Sequence, residues 1–591
     1  MNQETKNCQN CRQPFVIEPE DFQFYEKIDV PPPTFCFDCR LQRRMAWRNE
    51  RSLYKRRCDA PGHTEDIISM YAPGTPYKAV DTKYWWSDAW DPLASGLEYD
   101  FSRPFFAQFA ELTKRVPLLA LSLINSVNSD YTNYVDGNKN CYLIFGGGWS
   151  ENVSYSNKIM SIKDSQDLLG CNHCELSYEC VNCVKSYRLR FGDNCETCTD
   201  ARFLYDCRNC QNCVGCANLV NKSYCIGNVQ YAKEEYAAKL AELRLDTAVG
   251  IRAARERFYR EVYPRALRRY ANIFNSTNCT GENINNSKNC RYCFDSYENA
   301  EDNKYMYSLL TTKDCYDGIG IFKNPLGYET VDTNVGQNNH MSITIYASND
   351  VSYSWNCHSS SNLFGCIGLR SRNYCILNKQ YSKEEYLALV PKIIRHMNGQ
   401  PYTDGKGRVH RYGEFFPVET CPLAYNETIA QEYFPLSRDE IEARGFAWRD
   451  TVDRNYVPTM RVDDLPPGAD IPNSIVNDII ECPHKGTCHE QCTTAFRVTA
   501  ADLRFHRAMN LPLPRLCPNC RHYERLRQRN PLKLWHRACQ CVGAGSSNGV
   551  YCNTVSHQHG AEKCPNEFET SYAPDRPETV YCEKCYQAEV V

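Results

Sequence analysis

Cys8-x-x-Cys11 and Cys36-x-x-Cys39 are two CxxC pairs with 24 residues between them, and no other feature of the chain restricts its folding as much. Each CxxC turn presents two thiolates to one side of a tetrahedron and the intervening residues close it, the spacing of a two-knuckle zinc ribbon. A second copy lies 481 residues downstream, where Cys36, Cys39 and Arg40 correspond to Cys517, Cys520 and Arg521, and Cys11 corresponds to Cys492. Asp21, Phe24 and Pro33 likewise match Asp502, Phe505 and Pro514. The first knuckle of this copy reads CHEQC, so its remaining ligand is expected to be Cys488, with His489 as competitor.

The same register runs through Arg48-Asn49 against Arg529-Asn530 to Cys58 against Cys539. The C-terminal copy then gains about 20 residues, and the match resumes as ISMYAPGTPYKAVDTKYWW against ETSYAPDRPETVYCEKCYQ. A further site is expected from Cys539 or Cys541 with Cys564, Cys582 and Cys585, with His557 and His559 as reserve nitrogen ligands. Cys582 and Cys585 fall on Asp81 and Tyr84, so the N-terminal counterpart, left with Cys58 and His63, is expected to keep its fold and to have lost its ion. The expectation is therefore about three structural zinc ions. Four-thiolate sites are closed, whereas a catalytic zinc keeps an open position beside a general base.

Thirty-six cysteines are far more than these sites use: five lie at or before Cys58, nineteen between Cys141 and Cys375, one at Cys421 and eleven from Cys482 onward. The chain opens MNQETKNCQNC with no apolar signal segment, and its longest apolar stretch, VPLLALSLI, is far below the roughly 20 residues of a membrane span. A cytoplasmic protein with no membrane partner is expected, in which thiols ligate metal or pack as small hydrophobes. A formal net charge of -3 excludes a globally basic nucleic-acid coat.

The middle of the chain is duplicated at an offset of 150. DCRNCQNCVGCANLVNKSYCIGNVQYAKEEY from Asp206 aligns without gaps to NCHSSSNLFGCIGLRSRNYCILNKQYSKEEY from Asn356, with fifteen of 31 positions identical, and KDSQDLLG at Lys163 matches KDCYDGIG at Lys313. Short Tyr, Val, Ile and Leu runs alternate with Asn/Gly/Ser turns, and Cys174, Cys195 and Cys216 are spaced by 21. A period near 20 predicts one rung per repeat of a parallel β-solenoid with thiols stacked inside. The fold class is therefore mainly β: a duplicated, β-helix-like solenoid flanked by zinc-ribbon domains, with a few linking α-helices. The expected domains are residues 1–100 (ribbon plus degenerate second ribbon), 101–236 (first solenoid unit), 237–275 (linking helix), 276–398 (second unit), 399–480 (linker) and 481–591 (C-terminal ribbon pair).

Cys207, Cys210, Cys213 and Cys216 form a CxxCxxCxxC run that also suits an iron-sulfur or redox site. Their duplicates are Cys357, Ser360, Leu363 and Cys366, and leucine can replace a packed cysteine but cannot ligate metal. Packing is thus the favoured role. Each unit closes on a helix: Ser382 and Glu385 fit a capping box, and Tyr236, Leu240, Leu243, Ile251, Phe258 and Val262 form an apolar stripe opposite an arginine-rich face.

Basic arms follow each first ribbon, RLQRRMAWRNERSLYKRR from Arg40 and RHYERLRQRNPLKLWHR from Arg521. Arginines interleaved with Trp47, Tyr54, Tyr523 and Trp535 suit phosphate contact and base stacking, so Arg43, Arg44, Arg48, Arg525 and Arg529 are candidate contacts to RNA or DNA; protein partners are the other option. No catalytic triad, phosphate loop, dinucleotide fingerprint or HExxH motif is present, which favours a non-enzyme. The enzymatic alternative is a glycan-acting solenoid using Asp164 with Asp167 and Asp314 with Asp317, although DxxD in a turn more often makes an Asx turn.

The opening CxxC with CFDCRLQRR, WWSDAWDPL with DFSRPFF, CPLAYNETIAQEYFPL at Cys421, the repeated GC..L....YCI.N.QY.KEEY and the tail EFETSYAPDRPETVYCEKCYQAEVV together resemble an uncharacterised family. These are the cysteine-rich zinc-ribbon proteins of candidate-phylum (Patescibacteria-type) bacteria, and the resemblance spans nearly the whole chain. It implies zinc binding and a bacterial source. It supplies no activity: relatives sometimes carry a CoA-transferase label, for which no supporting residues are present here.

Overall fold

The computed structural model describes residues 2–450, 456–488 and 490–591. The chain divides into two compact units, each built from two segments: Met1–Leu121 with Asn272–Asp450, and Ser122–Ala271 with Thr451–Val591. Each unit contains one 11-stranded sheet whose strands follow one another in chain order, apart from a side pairing at Trp355–His358.

In the second unit the strands from Leu123–Ile124 to Ser223–Ile226 pair in parallel, and only the terminal Val229–Gln230 runs antiparallel. The register advances by twelve residues at a time, Ser154 to Gln166 to Tyr178 to Arg190 to Arg202 to Val214 to Ile226. The first unit repeats the pattern, with Val331 beside Ile343 and Ile343 beside Trp355. One step of thirteen, Phe294 beside Tyr307, shifts the phase there. The expected period near 20 is therefore corrected to twelve.

A shorter rhythm underlies the twelve. Every third residue carries positive φ, as at Glu179, Asn182, Lys185, Arg188, Phe191, Asn194, Thr197 and Asp200. Asparagine and aspartate tolerate this left-handed conformation, which accounts for the Asn/Asp enrichment of the middle. Their side chains also join positions twelve residues apart: Asn140 donates to Asn152 at 3.1 Å and Asn152 to Asp164 at 2.8 Å.

The buried residues keep the same three-residue beat. Cys171, Cys174, Cys180, Cys183, Cys195, Cys198, Cys207, Cys210, Cys213, Cys216 and Cys225 form one core with Ile144, Val153, Ile159, Leu168, Leu189 and Leu204. Inside it, thiols serve the backbone. Cys171 Sγ donates to the carbonyls of Leu169 and Cys180 at 3.6 and 3.5 Å and accepts from the Cys183 amide at 3.4 Å. Ser186 takes an equivalent place, donating to Val184 and accepting from the Cys198 amide, both at 3.2 Å. A small residue that is both weak donor and weak acceptor fits a narrow core lined with peptide groups.

The helices act as caps. Ser382 accepts from the Glu385 amide and Glu385 accepts from the Ser382 amide, so the expected capping box starts the helix Lys383–Gly399. The expected single helix after residue 236 is two, Lys233–Glu242 and Ala248–Arg257, with Thr247 capping the second. Their apolar residues Leu240, Leu243, Ile251 and Phe258 pack on Phe203, Tyr205 and Val214 of the sheet.

Candidate metal centres

Near the N-terminus an antiparallel hairpin, Glu4–Asn7 with Pro14–Ile17, brings Cys8 and Cys11 into one turn. Cys36 is the N-cap of the helix Phe37–Met45 and Cys39 lies in its first turn. The four sulfurs converge, all within 4.8 Å of one another. Cys11 and Cys36 are 3.7 Å apart, far beyond a disulfide, and all 36 cysteines of the chain are free. With zinc–sulfur bonds of 2.3 Å, the edge of a tetrahedral thiolate site is about 3.8 Å. The Asn10 amide points at Cys39 Sγ at 3.2 Å, and the helix N-terminus at Cys36 favours a thiolate. Without a cation such a group cannot ionise together: hydrogen bonds that the Cys36 thiol donates to Cys39 and Cys8, then burial, hold it well above the ordinary thiol range.

The 481-offset copy gathers Cys482, Cys492, Cys517 and Cys520. Cys517 and Cys520 are 3.4 Å apart, and Cys482–Cys520 and Cys492–Cys517 are each 4.0 Å apart. The hairpin Ile480–Glu481 with Ala495–Phe496 carries Cys482, and Cys517 caps the helix Pro518–Leu526. Cys482, the first cysteine of ECPHKGTCHEQC, takes the place in this group expected for Cys488. Cys488 lies 3.8 Å from Cys520 in an overlapping group, His484, Cys488, Glu490 and Cys520, with His484 Nδ1 3.2 Å from the same sulfur. His489 lies outside the described residues.

The third group is Cys539, Cys564, Cys582 and Cys585, all buried. Cys564 and Cys582 are 3.8 Å apart, the Cys582 amide donates to Cys539 Sγ at 3.2 Å, and Asn566 donates to Cys582 Sγ at 3.3 Å. Cys541 belongs with His557, His559 and Cys585 in an adjoining group that shares Cys585. His559 Nδ1 meets the Glu562 carbonyl at 2.7 Å, which turns Nε2 toward Cys585 at 3.5 Å, and Glu589 holds His557 Nε2 at 2.8 Å. Outer partners of this kind orient metal-binding imidazoles.

The basic arms occupy a different place from the one expected. Arg40 and Arg44, one turn apart on their helix, both pair with Asp317, at 2.9 and 3.0 Å. Arg44 also meets Glu329 at 2.6 Å, and Arg43 bridges Glu329 and Glu414 at 2.7 and 3.0 Å. In the other unit Arg521 and Arg525 grip Asp167 at 3.0 and 2.9 Å. Arg48 pairs with Glu50 and Asp332, and Arg529 is half-buried. Four of the five candidate nucleic-acid contacts, Arg43, Arg44, Arg48 and Arg525, are thus buried and paired with carboxylates, out of reach of phosphates.

The two dockings match residue by residue. Asp167 and Asp317 are 150 apart, and Arg521 and Arg525 are 481 beyond Arg40 and Arg44. Arg40 lies over the Tyr305 ring at 5.2 Å and Arg521 over Tyr155 at 4.8 Å, again 481 and 150 apart. Lys304 reaches Asp21, and Tyr155 reaches its counterpart Asp502, each at 2.7 Å. Asp167 and Asp317 are consequently walled off from any glycan, while Asp164 takes a hydrogen bond from Asn152 and Asp314 an ion pair from Lys27 at 3.1 Å.

In the CxxCxxCxxC run, Cys207, Cys210, Cys213 and Cys216 each donate to the carbonyl two residues back, at 3.3 to 3.5 Å. Leu363, the counterpart of Cys213, is fully buried beside Cys375. Burial raises the thiols of the duplicate, Cys357 to about 12 and Cys375 to about 11.

No family model matches the chain, and no curated protein does. Among solved structures, a candidate acetyltransferase from Desulfovibrio desulfuricans G20 aligns over 49% of this chain and 86% of its own, at 9% identity and a TM-score of 0.09, too low to bear on the fold. No helix among the described residues is long and apolar enough to cross a membrane.

Proposed function

We propose that the protein is a zinc-binding scaffold in which zinc ribbons clamp a β-solenoid of twelve-residue rungs, one solenoid to each unit. The observation that carries this reading is the convergence of three four-cysteine groups with sulfur spacings of 3.4 to 4.0 Å. Those spacings bracket the tetrahedral edge for zinc. The solenoid reading rests on the parallel twelve-residue register and on the inward thiols and outward asparagines that recur with it.

The zinc is structural on this reading, since thiolate fills each four-cysteine shell and offers no open position. Its task is to fix Cys36 and Cys517 at the starts of the arginine helices, so that paired arginines meet Asp317 and Asp167. The arms are thereby internal fasteners, and the scaffold's outer surfaces are what remain for partners. The reading also agrees with the resemblance to candidate-phylum zinc-ribbon proteins.

Metal analysis of the purified full chain tests the proposal. After mild chelation about three tightly held zinc ions per chain are expected, falling by one in each of the variants Cys36→Ser, Cys517→Ser and Cys582→Ser. A zinc content near zero, or iron with the visible absorption of a cluster, would overturn it.

A further inference from the structure

After the insertion in the C-terminal copy, its residues correspond to N-terminal ones at an offset of 501 rather than 481, as Cys582 and Asp81 show. With Cys539 on Cys58 at 481 and the later residues at 501, the third four-cysteine group maps completely: Cys564 onto His63, Cys582 onto Asp81 and Cys585 onto Tyr84. Three of the four positions thus retain a residue type able to bind metal, Asp81 joining Cys58 and His63.

The local folding agrees. The Cys58 amide bonds to the Glu65 carbonyl at 3.1 Å, as the Cys539 amide does to the Asn566 carbonyl at 2.9 Å. Each closes a hairpin, Tyr54–Arg57 with Asp66–Ser69 and Trp535–Ala538 with Glu567–Thr570. Asp81 is the N-cap of the helix Thr82–Trp86, as Cys582 is of Glu583–Val590.

The ligand atoms converge. Cys58 Sγ is 3.5 Å from His63 Nδ1 and 3.5 Å from Asp81 Oδ2, and His63 Nδ1 is 3.2 Å from the same Asp81 oxygen. Zinc bonds of 2.3 Å to sulfur, 2.05 Å to nitrogen and 2.0 Å to oxygen give tetrahedral edges of about 3.6, 3.5 and 3.3 Å. A second carboxylate, Glu65, stands 3.0 Å from His63 Nδ1. One imidazole nitrogen therefore faces a thiol and two carboxylates. A neutral imidazole has a single proton to offer, whereas a divalent cation satisfies all three groups together.

We infer that Cys58, His63 and Asp81 form a fourth metal site, for a zinc-like divalent ion bound through sulfur, nitrogen and oxygen. Tyr84 replaces the fourth thiolate, which leaves a coordination position for water or Glu65. Fewer thiolates mean a weaker and more exchangeable ion than in the ribbons, and His63 and Asp81 are partly open to solvent, with side-chain exposures of 29% and 23%. The inference rests on the zinc-scaffold reading for the identity of the ion.

Full-chain protein treated with a mild chelator and then titrated with cobalt(II) tests it. The wild type should take up one more equivalent than Cys58→Ser or Asp81→Asn, the latter keeping a helix cap, and that equivalent should show sulfur-to-cobalt absorption that Cys58→Ser abolishes. Asp81→Cys should retain this ion through the chelator step. Equal uptake by the wild type and both variants would overturn the fourth site while leaving the three ribbon ions countable. Loss of those ions in the wild type would instead overturn the ribbon reading.

Discussion

Each of the two buried aspartates, Asp167 and Asp317, holds two arginines, and each such cluster converts a helix face into a fixed docking point. Removing one partner strands buried charge, at a cost of roughly 3–5 kcal/mol. Asp317→Ala and Asp167→Ala should therefore each destabilise by that amount in denaturant melts, whereas Asp164→Ala, at a partly exposed turn, should cost less than about 1 kcal/mol. Equal effects from all three would show that the buried pairs contribute nothing special. Acid should act through the same residue. Burial alone would raise the Asp167 carboxyl, but Arg521 and Arg525 outweigh it and hold it below the ordinary carboxylate range. A carboxyl depressed in the folded state stabilises above its unfolded value, about 3.9, and that stability drains away as pH falls through the folded value. Stability measured from pH 5 downward should fall more steeply in the wild type than in Asp167→Asn. The sequence comparison already aligned these aspartates and arginines by their offsets; what it lacked was their partnership, because charge in a list of residues carries no sign of burial.

At the scale of the strand, the inner cysteines are interchangeable with serine where the backbone needs a hydrogen-bonding partner, and with leucine where it needs volume. Cys171→Ser should cost only about 1 kcal/mol and Cys183→Phe about 1–3 kcal/mol through overpacking. Both should leave the metal content unchanged, as measured by metal analysis alongside thermal melts. A fall in bound metal in either variant would return these thiols to metal chemistry. The three-residue step is written in the cysteine spacing. From Cys171 to Cys225 every cysteine stands a multiple of three from the next. The spacing of 21 seen at Cys174, Cys195 and Cys216 is seven such steps, whereas the register between neighbouring strands is four, and hydrophobic pattern alone shows the step without showing how many steps separate paired strands. Hydrogen-bond register between neighbouring strands supplies that number, and it cannot be read from one strand at a time.

Across the whole molecule, the cysteine groups and the sheets are built separately. The cysteine pairs point to groups that come together in the fold, Cys8, Cys11, Cys36 and Cys39 and, with Cys539, Cys564, Cys582 and Cys585, and that could each hold a metal ion. Cys482 is not evident from CHEQC because it stands ten residues before Cys492, and Asp81 joins Cys58 and His63 only in the folded chain, because a carboxylate in place of Cys582 reads as a lost ligand. Separate construction predicts separable loss: chelation should expose the ribbon amides, including those of 517–526, to hydrogen exchange while the strands around 178–217 stay protected. Loss of protection in both together would mean that the sheets depend on the metal.

The most direct test of the account is zinc-edge X-ray absorption on the purified full chain after mild chelation. It should show about three tightly held zinc ions per chain, with a first shell dominated by sulfur at about 2.3 Å. A shell dominated by nitrogen and oxygen, or no zinc at all, would contradict it.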